Sequence, residues 1–269
     1  MFKDKTILIT GAGRGIGRNL AIMMAENGAE LMLTDRDEEP IRKLVDDLEA
    51  YECKVSFYTG DLTDQKFPDQ LVKETISSFG KLDILVNNAG YTWDGMIHKM
   101  SDEQFQAMID IHLFAPFRLI RASAPYMREV AKQEIEKGIT NYRKIVNVSS
   151  VAGVMGNVGQ ANYASAKAGV IGLTKTIARE WGQFNINCNA VAFGLIDTRL
   201  TKAKEKIEDS DEKISLGIPE KVRTMFEKSI PQRRAGTAEE AAQGIFYLAS
   251  PLSNYINGQV LHLNGGWYT

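Results

Sequence analysis

Cysteine is scarce in this chain. Its two residues, Cys53 and Cys188, cannot build a disulfide framework, and they fit a reducing compartment where they pack as small hydrophobes. Histidine is scarce too. His98, His112 and His262 are scattered, with no Cys/His cluster at metal spacing, so neither a structural zinc site nor another metal is expected. Charge of one sign is missing as well: 32 Lys+Arg against 34 Asp+Glu leave −2, with a pI of about 6.0. No global field therefore draws the chain to DNA, RNA or an anionic membrane. No apolar run reaches the roughly eighteen residues that span a bilayer. Near the start, Lys3, Asp4 and Lys5 give way at once to Thr6-Ile7-Leu8-Ile9-Thr10, which reads as a strand and not as the apolar stretch of a signal peptide. The expectation is a cytoplasmic protein with no nucleic-acid or membrane partner.

What is present is ordinary globular composition, 44% apolar and 25% charged, which excludes a disordered or fibrous chain. Short β-branched runs alternate with helical periods. Strands are expected at 6–10, 30–34, 54–58, 82–86, 144–148, 185–191 and 259–263. Helices are expected at 16–27, 39–51, 68–79, 102–138, 161–181 and 238–249. Gly28 and Gly80 suit left-handed helix caps. Ser101 with Gln104, and Thr237 with Glu240, have the spacing of capping boxes. Such alternation implies an α/β fold: a doubly wound Rossmann-type sheet of about seven parallel strands with helices on both faces. With no repeat and no low-complexity linker, residues 1–269 read as one domain. Two stretches break the rhythm. The charged segment 128–143 reads as a solvated helical surface, and the stretch at about 197–229 reads as a lid on the carboxyl side of the sheet.

Gly11-Ala12-Gly13-Arg14-Gly15-Ile16-Gly17 follows the first strand and opens the first helix. Ile16 breaks the usual G-x-G-x-x-G, and the spacing that fits is G-x-x-x-G-x-G, at Gly11, Gly15 and Gly17. Such a turn lets backbone approach a pyrophosphate at a helix N-terminus. Asp35, ending the second strand, can accept from both ribose hydroxyls of NAD and repel a 2′-phosphate. Arg14 and Arg36 could soften that repulsion. NAD(H) is therefore favoured, with NADP(H) left open. Asp61, after the third strand, is expected along the adenine edge.

Tyr163 and Lys167 stand one helical turn apart. Making a phenolate at neutral pH costs roughly 4 kcal/mol, and a neighbouring ammonium would reduce that cost. Tyr163 could then exchange a proton with a substrate oxygen while hydride moves. Ser150, at the carboxyl edge of the fifth expected strand, could hold that oxygen.

Beyond these readings, the chain resembles the short-chain dehydrogenase/reductase family over nearly its whole length. The resemblance rests on Thr10-Gly11-x-x-x-Gly15-Ile16-Gly17, Asp61-Leu62, Asn87-Asn88-Ala89-Gly90, Ser149-Ser150, Tyr163-x-x-x-Lys167 and Asn264-Gly265-Gly266, in the family's order. It implies NAD(P) binding, with Tyr163 as acid/base, Lys167 as its partner and ribose ligand, and Ser150 as donor to the substrate oxygen. It also implies that Leu62, Asn88, Ala89 and Gly90 line the cofactor, that Ile196 and Thr198 meet the nicotinamide amide, and that the protein is a homotetramer. Two departures stand out. Phe193-Gly194 replaces the family's Pro-Gly, and His112 occupies the position of a catalytic asparagine. His112 is either a satisfied core residue or a relay member adding a titration near pH 6–7.

The stretch from Met155 to Tyr163 is most similar to 3-oxoacyl-thioester reductases and 3-hydroxyacyl-CoA dehydrogenases. The leading expectation is therefore an oxidoreductase interconverting 3-hydroxyacyl and 3-oxoacyl thioesters. A sugar, polyol or cyclic-alcohol dehydrogenase is the alternative, and a catalytically silent dinucleotide-binding subunit is the alternative of another class. An apolar wall of Tyr91, Trp93, Met96, Met155, Leu195 and Leu200 would suit an acyl chain, with Lys202, Lys204 and Lys206 meeting carrier phosphates.

Overall fold

The structure, a computed structural model, describes residues 1–199, 201 and 217–269. Leu200, Lys202, Lys204 and Lys206 lie outside the described residues, as does about half of the expected lid. Seven strands form one sheet: β1 (Thr6–Thr10), β2 (Glu30–Thr34), β3 (Val55–Phe57), β4 (Ile84–Asn87), β5 (Arg143–Ser150), β6 (Ile186–Phe193) and β9 (Val260–Leu263). Their order is β3-β2-β1-β4-β5-β6-β9, and every pairing is parallel. A short pair, β7 (Ile196–Asp197) and β8 (Gly236–Thr237), stands apart. The chain leaves β1 toward β2 on one side and reaches β4 on the other. A crevice opens at the carboxyl ends of such strands.

The helices are α1 (Gly15–Glu26), α2 (Glu38–Leu48), α3 (Phe67–Phe79), α4 (Asp102–Ile109), α5 (Ala115–Glu136), α6 (Ala152–Met155), α7 (Ala161–Trp181), α8 (Glu220–Ser229) and α9 (Ala238–Ala249). The sheet has a core on each face, because successive strand residues point to opposite sides. Ile7 and Ile9 pack with Leu20, Met24, Leu44 and Ile245, while Leu8 packs with Leu71, Leu119, Ile177 and Trp181. Both cores are needed, since β1 and β6 are buried along their whole length.

Both capping boxes form: Gln104 N donates to Ser101 Oγ, and Glu240 N to Thr237 Oγ1, with each glutamine or glutamate side chain returning the bond. Gly80 caps α3 with φ +77°, and Gly28, at φ +83°, closes the turn after α1. The expected helix 102–138 is broken. Residues Asp110–Phe114 form a turn of π-helix between α4 and α5. One extra residue in the turn leaves the apolar period nearly intact, so the pattern does not betray it. Strands β5 and β6 run longer than expected, pairing through Ser150 and Phe193. The segment 128–143 is largely an exposed end of α5, but Arg143 is 3% exposed and donates twice to Glu134, at 2.6 and 3.0 Å.

Candidate active site

The turn after β1 is held from behind. Asn88 Nδ2 donates to the carbonyls of Thr10 and Gly11 (2.9 and 3.1 Å), while the Asn88 and Ala89 amides donate to Thr10 Oγ1 (2.9 and 3.0 Å). The Asn88 side chain is thus spent on the turn, although the residue also lines the cleft. Helix α1 then starts with no side-chain cap and no acid in its first turn. Its leading amides and dipole face the cleft without an internal acceptor, which is the donor set a pyrophosphate requires. Gly11, Arg14, Gly15 and Ile16 line the cleft there. Gly17 does not. It is buried, and a Cβ on it would stand 2.1 Å from Gly11 O. Its part is to let helix and turn approach, not to touch a ligand.

Asp35 Oδ2 accepts from Gly13 N at 3.0 Å, and Oδ1 accepts from Arg36 N at 2.8 Å. These bonds fix the carboxylate beside the glycine turn. Arg14 is paired with Asp37 at 2.5 Å. Asp61 accepts from the Thr63 amide and hydroxyl and lines the same cleft with Leu62. Ile196 and Thr198 line it from the far side, where Thr198 Cγ2 lies 3.8 Å from the Cβ position of Gly15. The cleft has a volume of about 860 Å³ and takes in Ser150, Tyr163, Lys167, His112, Ala89 and Gly90.

Tyr163 and Lys167 project from α7, whose start is pinned. Asn162, fully buried, donates to the carbonyls of Trp93 (3.0 Å) and Gln104 (2.9 Å), and its Oδ1 accepts from Tyr163 N at 2.8 Å. The sequence reading missed Asn162, whose only outward mark is its place directly before the tyrosine. Tyr163 is half-buried by area, yet its surroundings are dense. Burial pushes its phenol up to about 12; a hydrogen bond with Ser150 pulls the other way, and Asp94 adds to the rise. The expected lowering by Lys167 is not met in this state. The Lys167 ammonium donates to Val148 O at 2.7 Å and sits 5.6 Å from the Tyr163 ring centre. Burial also brings Lys167 itself down to about 7. A protonated phenol beside Ser150 is a proton donor in waiting.

His112 enters from the π turn. Its Nε2 lies 2.7 Å from Tyr91 O, and a carbonyl can only accept, so Nε2 carries the proton. Nδ1 is a buried acceptor with no hydrogen-bond partner. The ring meets that of Tyr163 edge-on, with centres 4.9 Å apart and planes at 90°. Burial first, then the charge of Lys167, pushes the His112 pKa well below 6.5. Both effects favour the neutral ring, against the added titration near pH 6–7 that the relay reading expected.

The apolar wall differs from expectation. Tyr91, Met155 and Leu195 line the cleft, but Trp93 packs into the core and Met96 is surface-exposed. Val222 and Phe226 of α8 and the tail residue Trp267 line it instead. The spacing of Val222 and Phe226 was a helical signal available beforehand; the position of Trp267 was not. Among the described residues no group of three or more metal-ligating side chains occurs, and no helix is long and apolar enough to cross a membrane.

Comparison with known proteins agrees with this geometry. The sequence model of the short chain dehydrogenase family matches residues 5–209. The chain is 39% identical to the 3-oxoacyl-[acyl-carrier-protein] reductase of Thermotoga maritima over 264 residues, covering 98% of each chain. It is 37% identical to the protein of that name from Escherichia coli, and 36% to that from Vibrio cholerae, each over 99% of this chain and 98% of the relative. An uncapped helix N-terminus on a glycine turn, in one cleft with a tyrosine and a serine, and these full-length relatives lead to one conclusion: the chain belongs to the short-chain dehydrogenase family, whose members bind a nicotinamide dinucleotide.

Proposed function

We propose that the protein reduces 3-oxoacyl thioesters to 3-hydroxyacyl thioesters, and runs the reverse reaction, with NAD(H) as its favoured dinucleotide. The reading is carried by one observation: the Tyr163 phenol, kept protonated by burial, shares with Ser150 the cleft entered by the bare N-terminus of α1. The relatives, 3-oxoacyl-[acyl-carrier-protein] reductases, suggest the substrate class. A reduced nicotinamide, when bound, supplies hydride. The residues of this chain do the rest. Gly11, Arg14, Gly15 and Ile16 receive the pyrophosphate, Asp35 the adenosine ribose, and Ile196 and Thr198 the nicotinamide end, with Asp61, Leu62, Asn88, Ala89 and Gly90 lining the path between. Ser150 donates to the 3-oxo oxygen and orients it. As the carbonyl carbon gains hydride and its π bond breaks, Tyr163 transfers its proton to the oxygen, leaving a hydroxyl. The phenolate formed is then favoured by the Lys167 cation nearby. His112 is a positioning residue, bracing the Tyr163 ring and the Tyr91 carbonyl while staying neutral.

The preference for NAD(H) is supported by the fixed Asp35 carboxylate. One negative charge of a 2′-phosphate about 5 Å away would be repelled by roughly 3 kcal/mol at an effective dielectric of about 20. Exposed Phe105, Phe114 and Phe117 on α4, the π turn and α5 support a homotetramer. The test is absorbance loss from NADH, and separately from NADPH, with acetoacetyl thioesters of coenzyme A and of acyl-carrier protein. Turnover with NADH at the higher kcat/KM is expected. Turnover of polyols with no thioester activity would overturn the substrate class, and a preference for NADPH would overturn the part given to Asp35.

A further inference from the structure

The carboxyl-terminal tail is built into the cleft. Leu263 at the end of β9 is in register with Phe193 of β6, and Phe193 with Ser150 of β5. The three stand in one row across the sheet. Two strand spacings, about 10 Å, therefore separate the backbone of Leu263 from that of Ser150. The tail leaves the sheet on the edge where Ser150 meets the cleft. Its path is then fixed by buried Asn264. Asn264 Oδ1 accepts from Gly266 N (2.9 Å), Nδ2 donates to Tyr268 O (2.8 Å), and its carbonyl accepts from Trp267 N (3.2 Å).

This turn sends Trp267 into the cleft wall, where its ring meets that of Phe226 at 5.2 Å. Phe226 and Val222 lie one helical turn apart on α8 and line the same space. Helix α8 is itself fastened. Arg223 donates to Asp197 Oδ1 (3.1 Å), Thr201 O (3.2 Å) and Glu227 Oε1 (3.0 Å). Asp197 sits between Ile196 and Thr198, so the apolar wall is tied to the segment assigned to the nicotinamide end. Two aromatic rings packed against each other have few rotamers and hold a fixed surface.

We propose that Trp267 is a specificity-determining residue: its indole, packed at a tilt against Phe226 and held by the Asn264 turn, closes the acyl end of the pocket and sets the longest chain admitted. The inference rests on the acyl-thioester reading above. A longer chain would have to part the ring pair and break the turn behind it.

The experiment measures kcat/KM for acetoacetyl-, 3-oxooctanoyl- and 3-oxododecanoyl-CoA with the full-length wild type, Trp267→Ala, Phe226→Ala and Trp267→Phe, each checked by thermal melting. In Trp267→Ala the dodecanoyl-to-acetoacetyl ratio should rise roughly tenfold or more, the scale on which pocket methylenes are discriminated. Phe226→Ala should move the ratio the same way, and Trp267→Phe should keep the wild-type profile. Should Trp267→Ala fail to fold, Phe226→Ala alone decides. A ratio unchanged in a folded alanine variant overturns the assignment of Trp267. A wild type that reduces none of the three thioesters overturns the substrate reading itself, a separate outcome.

Discussion

Gly90 and His112 are packed so closely that a Cβ on Gly90 would stand 2.1 Å from His112 Cε1 and 2.7 Å from Nδ1. The imidazole cannot retreat freely, because Nε2 is bonded to Tyr91 O and the ring edge already rests on Tyr163. Gly90→Ala should therefore push the ring against the phenol. Overpacking of this kind costs about 1–3 kcal/mol, and turnover should fall along with it. Urea unfolding and kcat measured on the same variant check this.

Burial and the Lys167 charge both favour the neutral form of His112. Replacing it with Asn should leave the shape of the pH–rate profile between pH 6 and 7 unchanged, even if kcat falls through loosened packing. Loss of a limb in that interval would mean that the ring titrates in the relay after all.

Lys144 is buried on β5, where its ammonium donates to two neutral acceptors, Asn187 Oδ1 at 2.8 Å and Ser253 Oγ at 3.3 Å. Burial lowers it to about 8. Below that value the folded state holds an ammonium it solvates poorly. Between about 8 and 10.5 the unfolded chain binds the proton and the folded chain does not, so stability rises with pH. The full rise is about 3 kcal/mol. Lys144→Met should flatten this part of the curve in chemical unfolding at pH 7 and pH 9.5.

Asp35→Asn keeps an oxygen for Gly13 N while removing the charge. The NADPH-to-NADH ratio of kcat/KM should then rise by about a hundredfold, the equivalent of roughly 3 kcal/mol. An unmoved ratio would mean that neighbouring arginines, not Asp35, set the choice.

Much of the fold was legible from local chemistry. β1, β2, α7 and α9 have the bounds that apolar runs and caps suggest, since local preference and burial agree there. The π turn was hidden because it displaces the helical period too little. The pair of Phe226 and Trp267 was hidden because 40 residues lie between them in the chain and only the sheet's register brings them together. For the site, the identities of Ser150, Tyr163 and Lys167 were readable, but the protonation of Tyr163 was not. Spacing reports the neighbouring cation, whereas the opposing effect of burial belongs to the folded molecule.

The account turns on the Tyr163 proton. Tyr163→Phe should be assayed for NADH-dependent reduction of acetoacetyl-CoA alongside NADH binding by fluorescence. A loss in kcat of about a hundredfold or more, with NADH affinity near that of the wild type, is the predicted result. Turnover close to wild type in a variant without that hydroxyl would contradict the account.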